Sequence, residues 1–114
     1  MFLHLHSIEE ADFQDVWLTI GSYDGVHRGH QEILRPMVDG AHRENALAVV
    51  VTFHPHPAVV LKGKQGRLYL TLPEERADLF RDLGVDVVIT HPFTFQLSQT
   101  SAQDFLNHLQ EHLG

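Results

Sequence analysis

The chain has 114 residues and no cysteine, 43% of it is hydrophobic and 20% charged, and its formal net charge is −7 with ten histidines neutral. That balance belongs to one folded globular domain, long enough to bury a core without a disulfide or metal staple, and the missing thiols exclude disulfide frameworks, thiolate zinc sites and cysteine nucleophiles. An acidic surface argues against sequence-independent nucleic-acid binding, the apolar run Leu47–Val51 is far below the ~18 residues of a membrane span, and Met1–His6 lacks the basic region and cleavage site of a signal peptide, so a cytoplasmic location with neither nucleic-acid nor membrane partner is expected.

The first strand signal is Val16-Trp17-Leu18-Thr19-Ile20, stopped by Gly21. Arg28–Arg43 follows as a helix with Ile33, Leu34, Met37, Val38 and Ala41 on one face; Pro36 inside it should kink it or leave the Glu32 carbonyl without a partner. Leu47–Phe53 is a second apolar strand. Thr71-Leu72-Pro73-Glu74 reads as a capping box with proline near the helix start, opening a helix that runs to Leu83 and ends at Gly84, a residue suited to the position after a helix. Val85–Thr90 is a third strand, broken by His91-Pro92. Ala102–Leu113 is a last helix with Phe105, Leu109 and Leu113 on its stripe.

Strands alternating with helices, each strand a near-continuous apolar run, predict an α/β fold with a parallel sheet covered on both faces. Crossover rules place the third strand beside the second and the second beside the first. Val16–Ile20 reads as buried on both faces, yet with only three strands it stands at an edge, where a long apolar strand invites pairing. The expectation is therefore a partial domain over residues 1–114, its sheet truncated to the first three strands, with self-association through the exposed strand edge.

Gly21-Ser22-Tyr23-Asp24-Gly25-Val26-His27-Arg28-Gly29-His30 joins the first strand to its helix. Such a turn lies at the carboxyl end of a parallel sheet, where ligands bind. The string is neither Gly-x-Gly-x-x-Gly nor a Walker loop. Instead His27 and His30, three apart, sit at the helix start on one face. Free N–H groups and the positive dipole end attract an anion there, two imidazoles can donate to the same phosphate, and Gly29 leaves room for a nucleoside against the backbone. The arrangement suits phosphoryl-group chemistry by positioning and charge stabilisation, without a covalent intermediate. Asp24 can hold the turn through local N–H groups.

His27-Arg28-Gly29-His30 matches the His-x-Gly-His motif of the nucleotidyltransferase superfamily, and the longer string from Gly21 resembles the bacterial FAD synthetase family, the N-terminal adenylyltransferase module of bifunctional riboflavin kinase/FMN adenylyltransferases. Val51-Thr52-Phe53-His54-Pro55-His56-Pro57 resembles that family's second motif, Thr-Phe-x-Pro-His-Pro, with His54 at a commonly acidic position; Leu83-Gly84-Val85-Asp86 and Phe105-Leu106 resemble it too. The resemblance implies a Rossmann-like parallel sheet of the nucleotidyltransferase type and transfer of AMP from ATP to FMN, giving FAD and pyrophosphate. It implies His27 and His30 as the residues stabilising phosphate charge, and Gly21, Ser22, Tyr23, Asp24, Gly25, Gly29 and Thr52 at the nucleotide. Pro55, His56 and Pro57 fall at the flavin. ATP and FMN are then the substrates and magnesium accompanies ATP, held mainly by phosphates and water. The family's later Gly-x-Asp-Phe and Ser-Ser-Thr-x-Ile-Arg motifs and its riboflavin kinase domain are absent from these 114 residues.

Ten histidines invite a zinc site, but no His-Glu-x-x-His pattern occurs and no protein metal ligand is assigned. Lys62, Lys64 and Arg67 form a basic stretch suited to an anion or to plain solvation. Two other readings remain: an inactive nucleotide-binding fragment, tested by whether the reading frame continues past Gly114, and a cytidylyltransferase-like enzyme, tested by binding ATP and CTP side by side.

Overall fold

The computed structural model describes residues 2–21, 28–54 and 73–114. Ser22, Tyr23, Asp24, Gly25, His27, Pro55, His56, Pro57, the basic stretch around Lys62 and the capping residue Thr71 lie outside them. In chain order the elements are β1 (Leu3–Leu5), a single 3-10 turn (Ile8–Glu10), β2 (Trp17–Ile20), α1 (Arg28–Arg43), β3 (Ala48–His54), α2 (Pro73–Asp82), β4 (Val87–Pro92), the short α3 (Phe95–Ser98) and α4 (Ala102–Leu113).

The sheet is parallel with strand order β1-β4-β3-β2. The predicted adjacency of the three longer strands holds, but among the described residues the sheet has four strands rather than three. The extra one is β1, whose Leu3, His4 and Leu5 pair with Val87, Val88 and Ile89. Three half-buried residues are too few for an alternation pattern to register; β1 is a strand because β4 offers it an open edge.

Strand side chains alternate between two cores. Ala48, Val50 and Val88 face α1 and α2, packing with Leu34, Val38, Ala41, Ala77 and Phe80. Val49, Val51, Val87 and Ile89 face α4 and the 3-10 turn, packing with Leu109, Leu113, Ile8 and Ala11. β3 and β4 are buried on both faces because helices cover both. β2 is the exception to the expected burial: it is an edge, with Trp17 41% and Ile20 42% exposed. Trp17 turns its ring onto α1, where a Cβ at Gly40 would collide with it.

α1 continues through Pro36, which is exposed. The buried stripe is Leu34, Val38 and Ala41; Ile33, expected inside, is 64% exposed and marks the margin of the stripe beside half-buried Met37. The helix ends match their chemistry. Asn45 (φ 56°) closes α1 with Ala46 N–H donating to the Ala41 carbonyl, and Gly84 (φ 94°) closes α2 with Val85 N–H donating to the Phe80 carbonyl. Both are left-handed caps of the type that glycine and asparagine favour. Ser101 caps α4 by accepting from Asp104 N–H, and Thr94 caps α3 by accepting from Leu97 N–H.

Candidate functional site

α1 runs back from the carboxyl to the amino edge of the sheet. Its last turn is tied to the amino edge, where His42 Nε2 meets Asp86 Oδ2 at 2.8 Å and the same oxygen accepts from Ala48 N–H at 2.8 Å. Its first turn, with Gly29 and His30, therefore lies toward the carboxyl ends of β2 and β3. Gly21 opens that edge, its N–H donating to the Val51 carbonyl at 3.0 Å. The two motifs singled out in the sequence thus leave the sheet side by side, from Gly21 after β2 and from His54 after β3.

The strand alternation divides this edge into two chemically different halves. On the face toward α2 stand Thr52, His54, Thr90 and Pro92, with Thr52 opposite Thr90 and His54 opposite Pro92 in the ladder. Thr52 is fully buried and its Oγ1 accepts from Arg76 at 3.3 Å; a second Arg76 nitrogen donates to the Phe53 carbonyl at 3.2 Å. Thr90 Oγ1 lies 2.7 Å from His4 Nε2, and the His4 ring leans on His6 at 4.6 Å between centroids. Burial, helped by the neighbouring His6, holds the His4 imidazole below its ordinary pKa of 6.5, against the pull of Glu74 and Asp78. His6, His54, Glu74, Thr90 and Pro92 line a polar cavity of about 410 Å³ here.

On the opposite face the edge is apolar. Phe53 from β3, Phe93 after β4 and Phe105 from α4 converge, Phe53 meeting Phe93 edge-on at 5.7 Å and Phe105 at 6.2 Å. With Ile20, Leu97 and Leu106 they line an open cavity of about 460 Å³. Its size and its aromatic walls suit a planar ring system with few polar edges.

Among the expected site residues, Gly21, Gly29, His30 and Thr52 fall within the described residues, and the edge brings Gly21 and Thr52 together. Sequence reasoning missed Arg76, His4, Thr90 and the aromatic trio. Arg76 carried a signal: an arginine one residue from Ala77 and four from Phe80, on the buried face of α2, must be held by acceptors. The aromatic trio carried none, because its members come from three separate elements.

Among the described residues no helix is long and apolar enough to cross a membrane. The sequence profile of a family described as FAD synthetase matches residues 9–114. The chain is 36% identical over 110 residues to a bifunctional riboflavin kinase/FMN adenylyltransferase of Listeria monocytogenes, covering 94% of this chain and 35% of that protein. It is 30% identical over 105 residues to the protein of that description from Escherichia coli, covering 92% and 34%. A protein named FAD synthetase, also from Listeria monocytogenes, is 34% identical over 106 residues, covering 90% and 42%. The chain thus spans little more than a third of the length of the curated relatives it matches. In fold it is similar to a solved structure of a macrolide-efflux protein from Streptococcus pneumoniae, with a TM-score of 0.79 at 24% identity over 96% of this chain and 46% of the other.

Proposed function

The chain belongs to the FAD synthetase family, and from that premise we propose that its carboxyl edge is the substrate site of an FMN adenylyltransferase. The observation that carries this reading is the division of one sheet edge into an apolar, three-phenylalanine cavity and a polar cavity around His54 and Thr90. A flavin nucleotide needs both: a flat apolar slot for the ring and polar groups for its phosphate.

In this proposal the FMN phosphate oxygen attacks the α-phosphorus of ATP, the bond to the β-phosphate bridging oxygen breaks, and pyrophosphate leaves with that electron pair. His27 and His30 neutralise charge growing on the phosphate oxygens, which is worth most where water is excluded. Gly21, Ser22, Tyr23, Asp24, Gly25 and Gly29 shape the nucleotide side. Thr52, buried with its hydroxyl on Arg76, supports the nucleotide side from beneath. Pro55, His56 and Pro57 border the flavin. ATP enters as its magnesium complex, a substrate whose metal is held by phosphate oxygens and water. A cytoplasmic enzyme of flavin metabolism is the corresponding setting.

The test is binding first and turnover second. The purified chain should quench FMN fluorescence in the presence of an ATP analogue and magnesium, and replacing His27 and His30 together with alanine should weaken ATP binding. Unchanged ATP affinity in the double variant removes the phosphate role from these histidines, and a preference for CTP over ATP moves the chain to a cytidylyltransferase-like activity. FAD formation by these 114 residues should fall roughly a hundred- to thousandfold below that of a relative carrying the Ser-Ser-Thr-x-Ile-Arg segment, the usual cost of one transition-state donor. Turnover equal to such a relative would show that the segment is dispensable.

A further inference from the structure

The last two turns of α4 carry His108-Leu109-Gln110-Glu111-His112. None of its three polar metal-ligating side chains lines either cavity of the carboxyl edge. We propose that His108, Glu111 and His112 form a binding site for a zinc-class divalent ion on the side of α4 that meets the segment around Glu9 and Ala11.

Residues at i, i+3 and i+4 share a helix face, and one ligand atom from each of the three lies within 4.8 Å of the others. Two ligands about 2.0 Å from a tetrahedral zinc ion stand roughly 3.3 Å apart, so modest side-chain rotation closes the set. The His108 and His112 rings already meet edge-on at 5.0 Å between centroids.

The histidines are held from outside in the way metal ligands are. His112 Nδ1 lies 2.9 Å from the Ala11 carbonyl, which can only accept; Nδ1 therefore carries the proton and Nε2 the lone pair. His108 Nε2 lies 3.2 Å from Glu9 Oε1. A backbone carbonyl on one imidazole and a carboxylate on the other are the outer partners that fix ring orientation and raise ligand basicity. The site also sits at a helix carboxyl end, where the dipole favours a cation.

Two imidazoles and one carboxylate with an open fourth position is a zinc-type donor set; magnesium and calcium demand oxygen ligands. The ion would hold the two rings whose outer contacts already bridge α4 to Glu9 and Ala11.

The experiment is calorimetric titration of the untagged chain with zinc sulfate at neutral pH, with magnesium chloride as the contrasting ion and a thermal melt at each metal concentration. One equivalent of zinc should bind saturably and raise the melting temperature, and magnesium should do neither. His108→Gln and Glu111→Gln should each weaken zinc binding by at least about tenfold, the lower end of what losing even an outer partner costs. Glu111 is exposed, so its variant keeps the fold if His112→Gln does not. Equal zinc affinity in the folded His108→Gln and Glu111→Gln variants would place the ion on other histidines, and binding only in the millimolar range would reduce the cluster to an ordinary Glu9–His108 contact. Either result overturns the proposal.

Discussion

Replacing Phe105 with alanine separates ligand binding from stability at the apolar cavity. Phe105 is half-buried, meets Phe53 at 6.2 Å and walls the 460 Å³ cavity. A fully buried phenylalanine costs ~3–5 kcal/mol on truncation. Half of that, about 2 kcal/mol, is expected here because one side of the ring already faces open space, and part of it is the aromatic pair itself at ~0.5–1.5 kcal/mol. A flat ligand ring loses an aromatic wall worth ~1–3 kcal/mol by the standard of base stacking, which is about a fivefold to 150-fold rise in Kd. Urea unfolding measures the first quantity and FMN fluorescence quenching the second. Val85→Ala is the matched control: Val85 is 3% exposed, packs in the core facing α1 and α2 and touches neither cavity. It should cost about 2 kcal/mol as well and leave the FMN Kd unchanged. Equal FMN affinity in folded Phe105→Ala, or an equal loss in Val85→Ala, would refute the assignment of this cavity to the flavin ring.

Stability should fall as pH drops below about 6.5. Burial depresses the His4 and His91 imidazoles in the fold, so the unfolded chain binds more protons. Their contribution is complete above the ordinary value of 6.5 and is lost as pH falls through the folded values; Glu9, depressed from 4.5, acts with the same sign only below that. At His91 the cause is concrete, since Nδ1 accepts the Ile8 N–H at 3.0 Å and protonation there removes the acceptor. Melting temperatures between pH 7.5 and 5.5 should decline, and His91→Gln should flatten the slope; an unaltered slope contradicts the role given to His91. Gly84→Ala should destabilise by about 1–2 kcal/mol, because φ is 94° and a Cβ would come within 3.0 Å of Val38 Cγ1; a neutral result in urea unfolding would mean that the α2 cap relaxes. Trp17→Lys should shift the chain toward monomer in sizing chromatography, since a lysine on an edge strand blocks pairing; a wild-type chain that is already monomeric would show that the exposed edge of β2 is tolerated.

Local chemistry placed most of the elements. Ser101 before Ala102–Leu113, Gly84 after α2 and the apolar runs of β3 and β4 each act within a few residues, so α4, the end of α2 and the two central strands are readable one segment at a time. Alternation of strand and helix also determined the parallel order of β2, β3 and β4, because crossover chirality leaves few alternatives. The glycine and histidine strings pointed to the carboxyl edge for the same reason: a strand-to-helix turn is a local object.

The tertiary structure decided what depends on pairs of distant segments. Leu3–Leu5 is a strand only because Val87–Ile89 receives it, and a three-residue stretch has no period of its own. Trp17 and Ile20 look like core residues by composition, yet burial is a property of what lies beside a strand, and nothing among the described residues pairs with the outer side of β2. Arg76 gains its meaning from Thr52 and the Phe53 carbonyl, and the aromatic cavity exists only where Phe53, Phe93 and Phe105 arrive from β3, from the turn after β4 and from α4. His108 meets Glu9 across 99 residues of chain. Such contacts leave no periodic trace, because the free energy that makes them belongs to the packed sheet and helices rather than to either segment alone.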